Sequence, residues 1–135
     1  MTDLVHKNGV NIIAQISVMK DLELPVEDID RITDVFADAA EKCVKAGFKG
    51  IEIGVNHHDT LSQFLSPKFN HRIDEYGGSD ENRARFIKEI IKKIRARRGK
   101  EYILILKINS EDNDQKVINN DLQENDDHRK KINFF

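Results

Sequence analysis

Three short apolar runs, separated by two stretches with helical periodicity, constrain the fold of this chain more than any other feature. The runs cover residues 10–16, 50–55 and 102–109, and they are rich in β-branched side chains. They lack the polar alternation of a half-exposed strand, so both faces of each strand are expected to be buried. Strands of this kind, separated by amphipathic helices, are typical of a parallel sheet with right-handed crossovers. The sequence therefore predicts an α/β unit in the order strand, helix, strand, helix, strand.

The two predicted helices carry their own start and stop signals. The first follows Pro25, has an apolar stripe over residues 29–44, and ends before Gly47. The second begins at Ser79, a preferred N-cap residue, and ends at Gly99 after a basic last turn. The start and the end of each helix are therefore predicted from local chemistry.

Two segments are predicted to lack regular structure. Residues 56–79 show no sustained period and are expected to form a long loop. Residues 113–135 are rich in Asn, Asp, Glu and Lys, which favours a disordered polar tail. The predicted domain organisation is thus one α/β segment over 1–112, followed by the tail over 113–135.

The composition excludes several classes of protein. Of the 135 residues, 22 are basic and 24 acidic, and a near-neutral chain is not expected to bind nucleic acid. We find no apolar run long enough for a membrane span and no signal-peptide pattern at the N-terminus. The single cysteine, Cys43, allows no internal disulfide, so the cytoplasm is the expected location.

Polar side chains lie at the predicted carboxyl end of each strand, where parallel α/β proteins place their chemistry. Gln15 follows the first strand, His57 the second, and Lys107 ends the third. A glutamine amide both donates and accepts and suits the imide-like edge of a ring, while a lysine stabilises negative charge nearby. A neutral histidine can bind a substrate oxygen. Alternatively, Gln15 caps backbone groups at the strand end and Lys107 is only a solvated charge.

Two other reactive side chains have ordinary structural interpretations. His57, His58 and Asp59 are adjacent, but neighbouring residues seldom point the same way, so no metal site is predicted there. Cys43 lies on the apolar stripe of the first helix, which favours a packed thiol over a nucleophile.

One long segment resembles a known family. It reads Q-F-L-S-P at 63–67, continues through Asn70, Arg72 and Asp74, and ends as Y-G-G-S-D-E-N-R-A-R-F at 76–86. This pattern strongly resembles the old yellow enzyme family, the NADH:flavin oxidoreductases that use FMN. The similarity covers roughly residues 3–112 and includes three further segments: Ile12–Ile16, Phe36–Ala40 and Ala46–Ile53.

The resemblance implies a fold, cofactors and site residues. The family fold is a TIM barrel, (β/α)8, with FMN at its C-terminal face, and a complete barrel needs about 200 residues or more. The chain then corresponds to a partial barrel fragment with about the third, fourth and fifth of the eight strands. By resemblance, Gln15 bonds the flavin pyrimidine edge, Lys107 lies near flavin N1 and the C2 carbonyl, and His57 holds the substrate oxygen. NADH or NADPH is the implied reductant, and an activated alkene or similar small molecule the implied acceptor.

The chain also departs from the family pattern. Gly54 stands where the family has the first residue of its His/His or His/Asn pair, and Asp59 stands at the position of its proton-donating tyrosine. An ordinary carboxylate is ionised at neutral pH and cannot donate a proton. The resemblance also places the flavin phosphate site on later strands. An inactive barrel fragment without cofactor, self-associating as a homo-oligomer through its unpaired sheet edges, is therefore the alternative hypothesis.

Overall fold

The computed structural model describes residues 2–109, which form three strands and four helices. The predicted tail, 113–135, lies outside the described residues. In chain order the elements are α1 (Thr2–Lys7), β1 (Ile13–Ile16), α2 (Val26–Lys45), β2 (Gly50–Val55), α3 (Thr60–Leu65), α4 (Asp80–Arg98) and β3 (Ile103–Ile108).

The three strands form one parallel sheet in the order β1-β2-β3. Ile13 of β1 pairs with Gly50 of β2, and Gly54 of β2 pairs with Lys107 of β3. The strand–helix–strand–helix–strand order and the parallel sheet are therefore confirmed. The first strand is shorter than its apolar run, since it begins only at Ile13.

The hydrophobic core lies on one face of the sheet. Ile51, Ile53 and Val55 alternate along β2 and are almost completely buried. Aromatic and aliphatic side chains of α2 and α4 pack with them in one cluster, which includes Phe36, Ala40, Phe86, Ile87, Ile90 and Ile94. Both long helices thus cover the same side of β2.

The opposite face of β3 is open to solvent within residues 2–109. Ile103 is 44% exposed and Ile105 39%, whereas Leu104 and Leu106 pack against the core. The expectation that both strand faces are buried is therefore wrong for this part of the chain. Its apolar run reflects a second face that the described residues do not cover.

Charged side chains hold the two long helices side by side. Lys93 Nζ of α4 lies 2.7 Å from Asp30 Oδ1 and 3.0 Å from Asp34 Oδ2 of α2. Arg97, one turn further along α4, contacts Asp34 at 3.2 Å and also pairs with Asp38. Because these pairs are partly exposed, they contribute modestly and mainly set how α2 and α4 align.

The predicted ends of α4 are confirmed. Ser79 is its N-cap, and the hydroxyl accepts a hydrogen bond from the Asn82 backbone N–H at 3.2 Å. Gly99 follows with φ 77, a left-handed conformation that glycine adopts without strain, and its N–H donates to the Arg95 carbonyl at 2.8 Å. Within residues 2–109, every helix falls short of the length and apolar character that spanning a bilayer requires.

Candidate functional site

Two of the three predicted site residues lie on the open face of the sheet. Gln15 pairs in register with Glu52, and Gly54, two residues along the same strand, pairs with Lys107. Because alternate residues of a strand share a face, all four point to the side opposite the core. A Cβ atom built on Gly54 would lie only 3.1 Å from Gln15 Nε2. The sheet therefore brings the exposed side chains of Gln15 and Lys107 to the carboxyl end of the strands, on either side of Gly54.

The third predicted residue, His57, lies in the turn after β2. His57 and His58 both adopt positive φ, 51 and 59, and both side chains are exposed. The His58 ring packs edge-on against Phe69, with 5.5 Å between centroids, and its carbonyl accepts from Gln63 Nε2 at 2.5 Å. The two adjacent histidines thus have different surroundings. Among residues 2–109, no three His, Cys, Asp or Glu side chains are grouped closely enough to hold a metal ion.

Asp59 caps α3. Its Oδ1 accepts from the Ser62 backbone N–H at 2.8 Å and its Oδ2 from that of Asn56 at 3.3 Å, while the side chain is buried. Burial raises the pKa of this carboxyl, and the hydrogen bonds from Ser62 and Asn56 and the charge of His57 oppose the rise. Both oxygens are therefore already engaged in holding the turn that carries His57.

Neither α3 nor its Asp59 cap was predicted from the sequence. The helix has six residues, too few for a clear period, and it falls inside the predicted loop 56–79. One signal was present: an aspartate directly before apolar residues at helical spacing, here Asp59 before Leu61, Phe64 and Leu65.

The segment 17–25, which follows β1 and is here called the strap, is tied to the first turn of α3. The Thr60 hydroxyl accepts from the Lys20 backbone N–H at 2.6 Å and donates to the Lys20 carbonyl at 2.9 Å. The Thr60 backbone N–H donates to the Val18 carbonyl at 3.1 Å. The chain segments after β1 and β2 therefore form one hydrogen-bonded unit.

Arg72 holds the strap at a second point. Its Nη1 donates to the carbonyls of Leu22 at 2.6 Å and Leu24 at 2.8 Å, and its guanidinium pairs with Asp74. The same guanidinium lies over the Phe64 ring, 5.4 Å from the centroid. Arg72 thus links three segments: the strap, α3 and its own loop.

The motif that carried the resemblance builds the scaffold beneath the site. Asn70 is buried, and its Nδ2 donates to the carbonyls of Phe64 at 2.6 Å and Tyr76 at 2.7 Å. The Tyr76 hydroxyl donates to Glu89 of α4 at 2.8 Å; burial and this neighbouring carboxylate both raise the pKa of the phenol. These residues pin the loop between α3 and α4 to the rest of the fold.

Fold and site together define a parallel α/β unit with an amide and a lysine on one open face, near the ends of the two strands that flank β2. The chain belongs to the NADH:flavin oxidoreductase / NADH oxidase family, whose sequence model matches residues 1–128. The family resemblance is thereby confirmed. So is the expectation of FMN, with NADH or NADPH as reductant, for the family to which the chain belongs. The match extends beyond residue 112, at which the similarity seen in the motifs ends.

Several curated relatives are similar over part of their length. An NADPH dehydrogenase of Clostridium acetobutylicum is 46% identical over 90 residues, which are 67% of this chain and 26% of that protein. An NADH oxidase of Thermoanaerobacter brockii is 39% identical over 90 residues, 67% of this chain and 14% of the relative. A cinnamate reductase of Clostridium sporogenes is 43% identical over 86 residues, 63% of this chain and 13% of the relative. The matched region thus spans about a quarter or less of each of these proteins.

A solved structure shows the same fold. The histamine dehydrogenase from Rhizobium sp. 4-9 matches with a TM-score of 0.78 at 24% identity, over 86% of this chain and 21% of that protein. The partial α/β barrel architecture expected from the sequence is confirmed by this likeness together with the parallel sheet.

Proposed function

We propose that this chain contributes the pyrimidine-facing part of an FMN site in an oxidoreductase. The reaction is hydride transfer from NADH or NADPH to a small acceptor such as an activated alkene. One observation carries the proposal: Gln15 near the end of β1 and Lys107 near the end of β3 share the open face, on either side of Gly54 of the central strand β2. FMN, when bound, supplies the ring system that accepts and gives up the electron pair.

The chemistry of the side chains fits that cofactor. The Gln15 amide has both a donor and an acceptor, as the pyrimidine edge of the ring requires. The exposed Lys107 ammonium can stabilise negative charge that develops on that side of the ring. Gly54 carries no side chain, so the Gln15 amide can lie close over β2, with Nε2 only 3.1 Å from where a Cβ atom of residue 54 would stand.

His57 is proposed to bind the acceptor's electron-withdrawing oxygen. Its exposed ring lies in the turn directly after β2, and that turn is held by the Asp59 carboxylate. Asp59 itself is not proposed as a proton donor. Its two oxygens accept backbone N–H groups, and protonation would remove an acceptor from the cap.

A second candidate function is non-catalytic. Gly54 and Asp59 replace the histidine and tyrosine that the family resemblance implies, and the open face exposes Ile103 and Ile105. These features favour a barrel fragment without cofactor that buries this face against a second copy of itself. Light scattering, which gives the mass in solution, tests this alternative directly.

Titration of the full chain with FMN, followed by quenching of flavin fluorescence, tests the main proposal. We expect saturable binding at micromolar FMN, weakened roughly tenfold, about 1.4 kcal/mol, by Gln15→Ala or Lys107→Met. Asn11→Ala and Lys88→Met are matched controls, because both residues are exposed and lie away from this edge of the sheet. Circular dichroism establishes that each variant is folded.

Two outcomes would contradict the proposal in different ways. A folded chain that binds no FMN up to millimolar concentration supports the non-catalytic alternative. FMN affinity that is equal in the wild type and in both site variants would show that Gln15 and Lys107 do not contact the flavin.

A further inference from the structure

We propose that Thr60 is a positioning residue for Gln15. In this inference Thr60 holds the end of β1 against the turn after β2, and so sets where the Gln15 amide lies. The functional importance of that placement rests on the proposed flavin role of Gln15. The positioning itself does not depend on any cofactor.

Thr60 binds the strap through both its hydroxyl and its backbone N–H. The hydroxyl bonds both backbone groups of Lys20, and the backbone N–H bonds the Val18 carbonyl. Thr60 has no exposed surface, so water cannot easily replace the hydroxyl on its own side of these bonds. Three hydrogen bonds from one residue therefore anchor residues 18–20.

β1 depends on such an anchor because its own pairing is weak. It has four residues, lies at the edge of the sheet, and pairs only with β2 among residues 2–109. A short edge strand has few ladder hydrogen bonds to hold its end. The segment directly after Gln15 therefore takes its position largely from the contacts that the strap makes with α3.

The same anchor reaches the Gln15 side chain through the surroundings of Gly54. A Cβ atom built on Gly54 would lie 3.1 Å from Gln15 Nε2, 3.3 Å from Ser17 Cβ and 3.5 Å from Asp59 Oδ2. The strap, the α3 cap and the Gln15 amide thus meet at one point. Because Thr60 directly follows Asp59, releasing the strap from Thr60 loosens two of the three groups around Gly54.

The chemistry of the contact identifies a matched set of variants. Thr60→Val keeps the shape but removes the hydroxyl, whereas Thr60→Ser keeps a group that donates and accepts. Thr33 offers a control: it is also fully buried, and its hydroxyl donates to the Asp30 carbonyl at 2.6 Å within α2. Thr33→Val therefore removes a buried hydroxyl bond without touching the strap.

The test is NMR of the 15N-labelled full chain, observing the Gln15 side-chain amide, which the Gln15→Ala spectrum assigns by its disappearance. Thr60→Val is expected to shift or broaden this signal, while Thr60→Ser and Thr33→Val leave it in place. FMN affinity should fall about three- to tenfold in Thr60→Val and recover in Thr60→Ser. A Thr60→Val spectrum with the Gln15 signal unmoved overturns the inference, whether or not the chain binds FMN.

Hydrogen exchange of the wild type tests the anchor between Thr60 and the strap even if Thr60→Val does not fold. The Lys20 amide, which donates to the Thr60 hydroxyl, should exchange with deuterium far more slowly than the neighbouring strap amide of Asp21. Equal exchange at Lys20 and Asp21 would show that the anchor does not hold. Failure of FMN binding alone would count against the proposed function and not against this anchor.

Discussion

Arg72 and Asp74 form a two-point ion pair, with 3.1 Å between Nε and Oδ1 and 2.5 Å between Nη2 and Oδ2. Nη1, which is not part of this pair, donates to the carbonyls of Leu22 and Leu24. Asp74 Oδ1 also accepts from the Tyr76 backbone N–H at 3.0 Å. The ion pair orients Arg72 so that its loop is bound to the strap. This part of the family motif therefore has a structural role.

Replacing Arg72 is expected to lower the free energy of unfolding. Arg72→Ala removes the charged hydrogen bonds to the strap and to Asp74, a loss of about 2–3 kcal/mol. Arg72→Lys should recover only part of it, because an ammonium cannot form the planar two-point contact. Urea unfolding measures both, with Arg31→Ala as control, since the exposed Arg31 pairs with Asp28 at 3.0 Å on the surface of α2. A loss as small for Arg72→Ala as for Arg31→Ala would contradict the anchoring role.

The Asp74 carboxylate should make stability depend on pH in one direction. The hydrogen bond from Arg72 holds the pKa of Asp74 below its ordinary 3.8, although partial burial opposes this. The stabilisation is therefore complete above pH 3.8 and is lost as the pH falls through the lowered pKa of the folded state. Asp74→Asn should be less stable than the wild type at neutral pH. The difference in unfolding free energy between the two should become smaller in acid. Denaturant unfolding across the acidic range would show a constant gap if this ion pair were unimportant.

The Asp59 carboxyl should make stability depend on pH in the opposite direction to Asp74. Burial raises the pKa of this carboxyl above 3.8 in the folded state. Its contribution to stability is thus most favourable below pH 3.8 and is lost as the pH rises through the raised pKa. Relative to Asp59→Asn, which keeps a capping oxygen, the wild type should lose stability from acid toward neutral pH. Denaturant unfolding over the same pH range measures the difference in stability between the wild type and Asp59→Asn. A wild type that becomes more stable relative to Asp59→Asn as the pH rises would contradict a raised pKa at Asp59.

Two glycines should respond very differently to alanine. A Cβ atom on Gly77 would lie 2.0 Å from the Arg72 carbonyl oxygen, which the backbone cannot easily move away, so Gly77→Ala should cost about 3 kcal/mol. The nearest group at Gly54 is the exposed, flexible end of Gln15, so Gly54→Ala should cost less than about 1 kcal/mol. Thermal melts of both variants test this, and equal losses would argue against the close approach at Gly77.

Local patterns predicted the long elements because each carries its own signal. β2 occupies the apolar run of residues 50–55 without a shift, and α4 lies between the Ser79 cap and Gly99 as expected. By contrast, α1 and α3 have six residues each, less than two helical turns, and so show no periodicity that distinguishes them from a loop.

The candidate site was predicted only in part. Strand order alone places Gln15 and Lys107 at the ends of the two strands that flank β2, but a shift of one residue in register would move a side chain to the other face. The observed pairings of Gln15 with Glu52 and of Gly54 with Lys107 together decide that both side chains share the open face. Asp59, which stands at the position of the family's proton-donating tyrosine, is the N-cap of α3, a role that the sequence did not predict.

The sequence by itself determined the parallel α/β class, the family and the residues that end each strand, because these depend on composition and spacing within short segments. The tertiary structure alone decided how those ends are held together. Thr60 bonds Lys20, 40 residues away, and Arg72 bonds Leu22, 50 residues away. Such pairings leave no trace in a local pattern, since they form only when the packed sheet and helices bring distant backbone groups within hydrogen-bond distance.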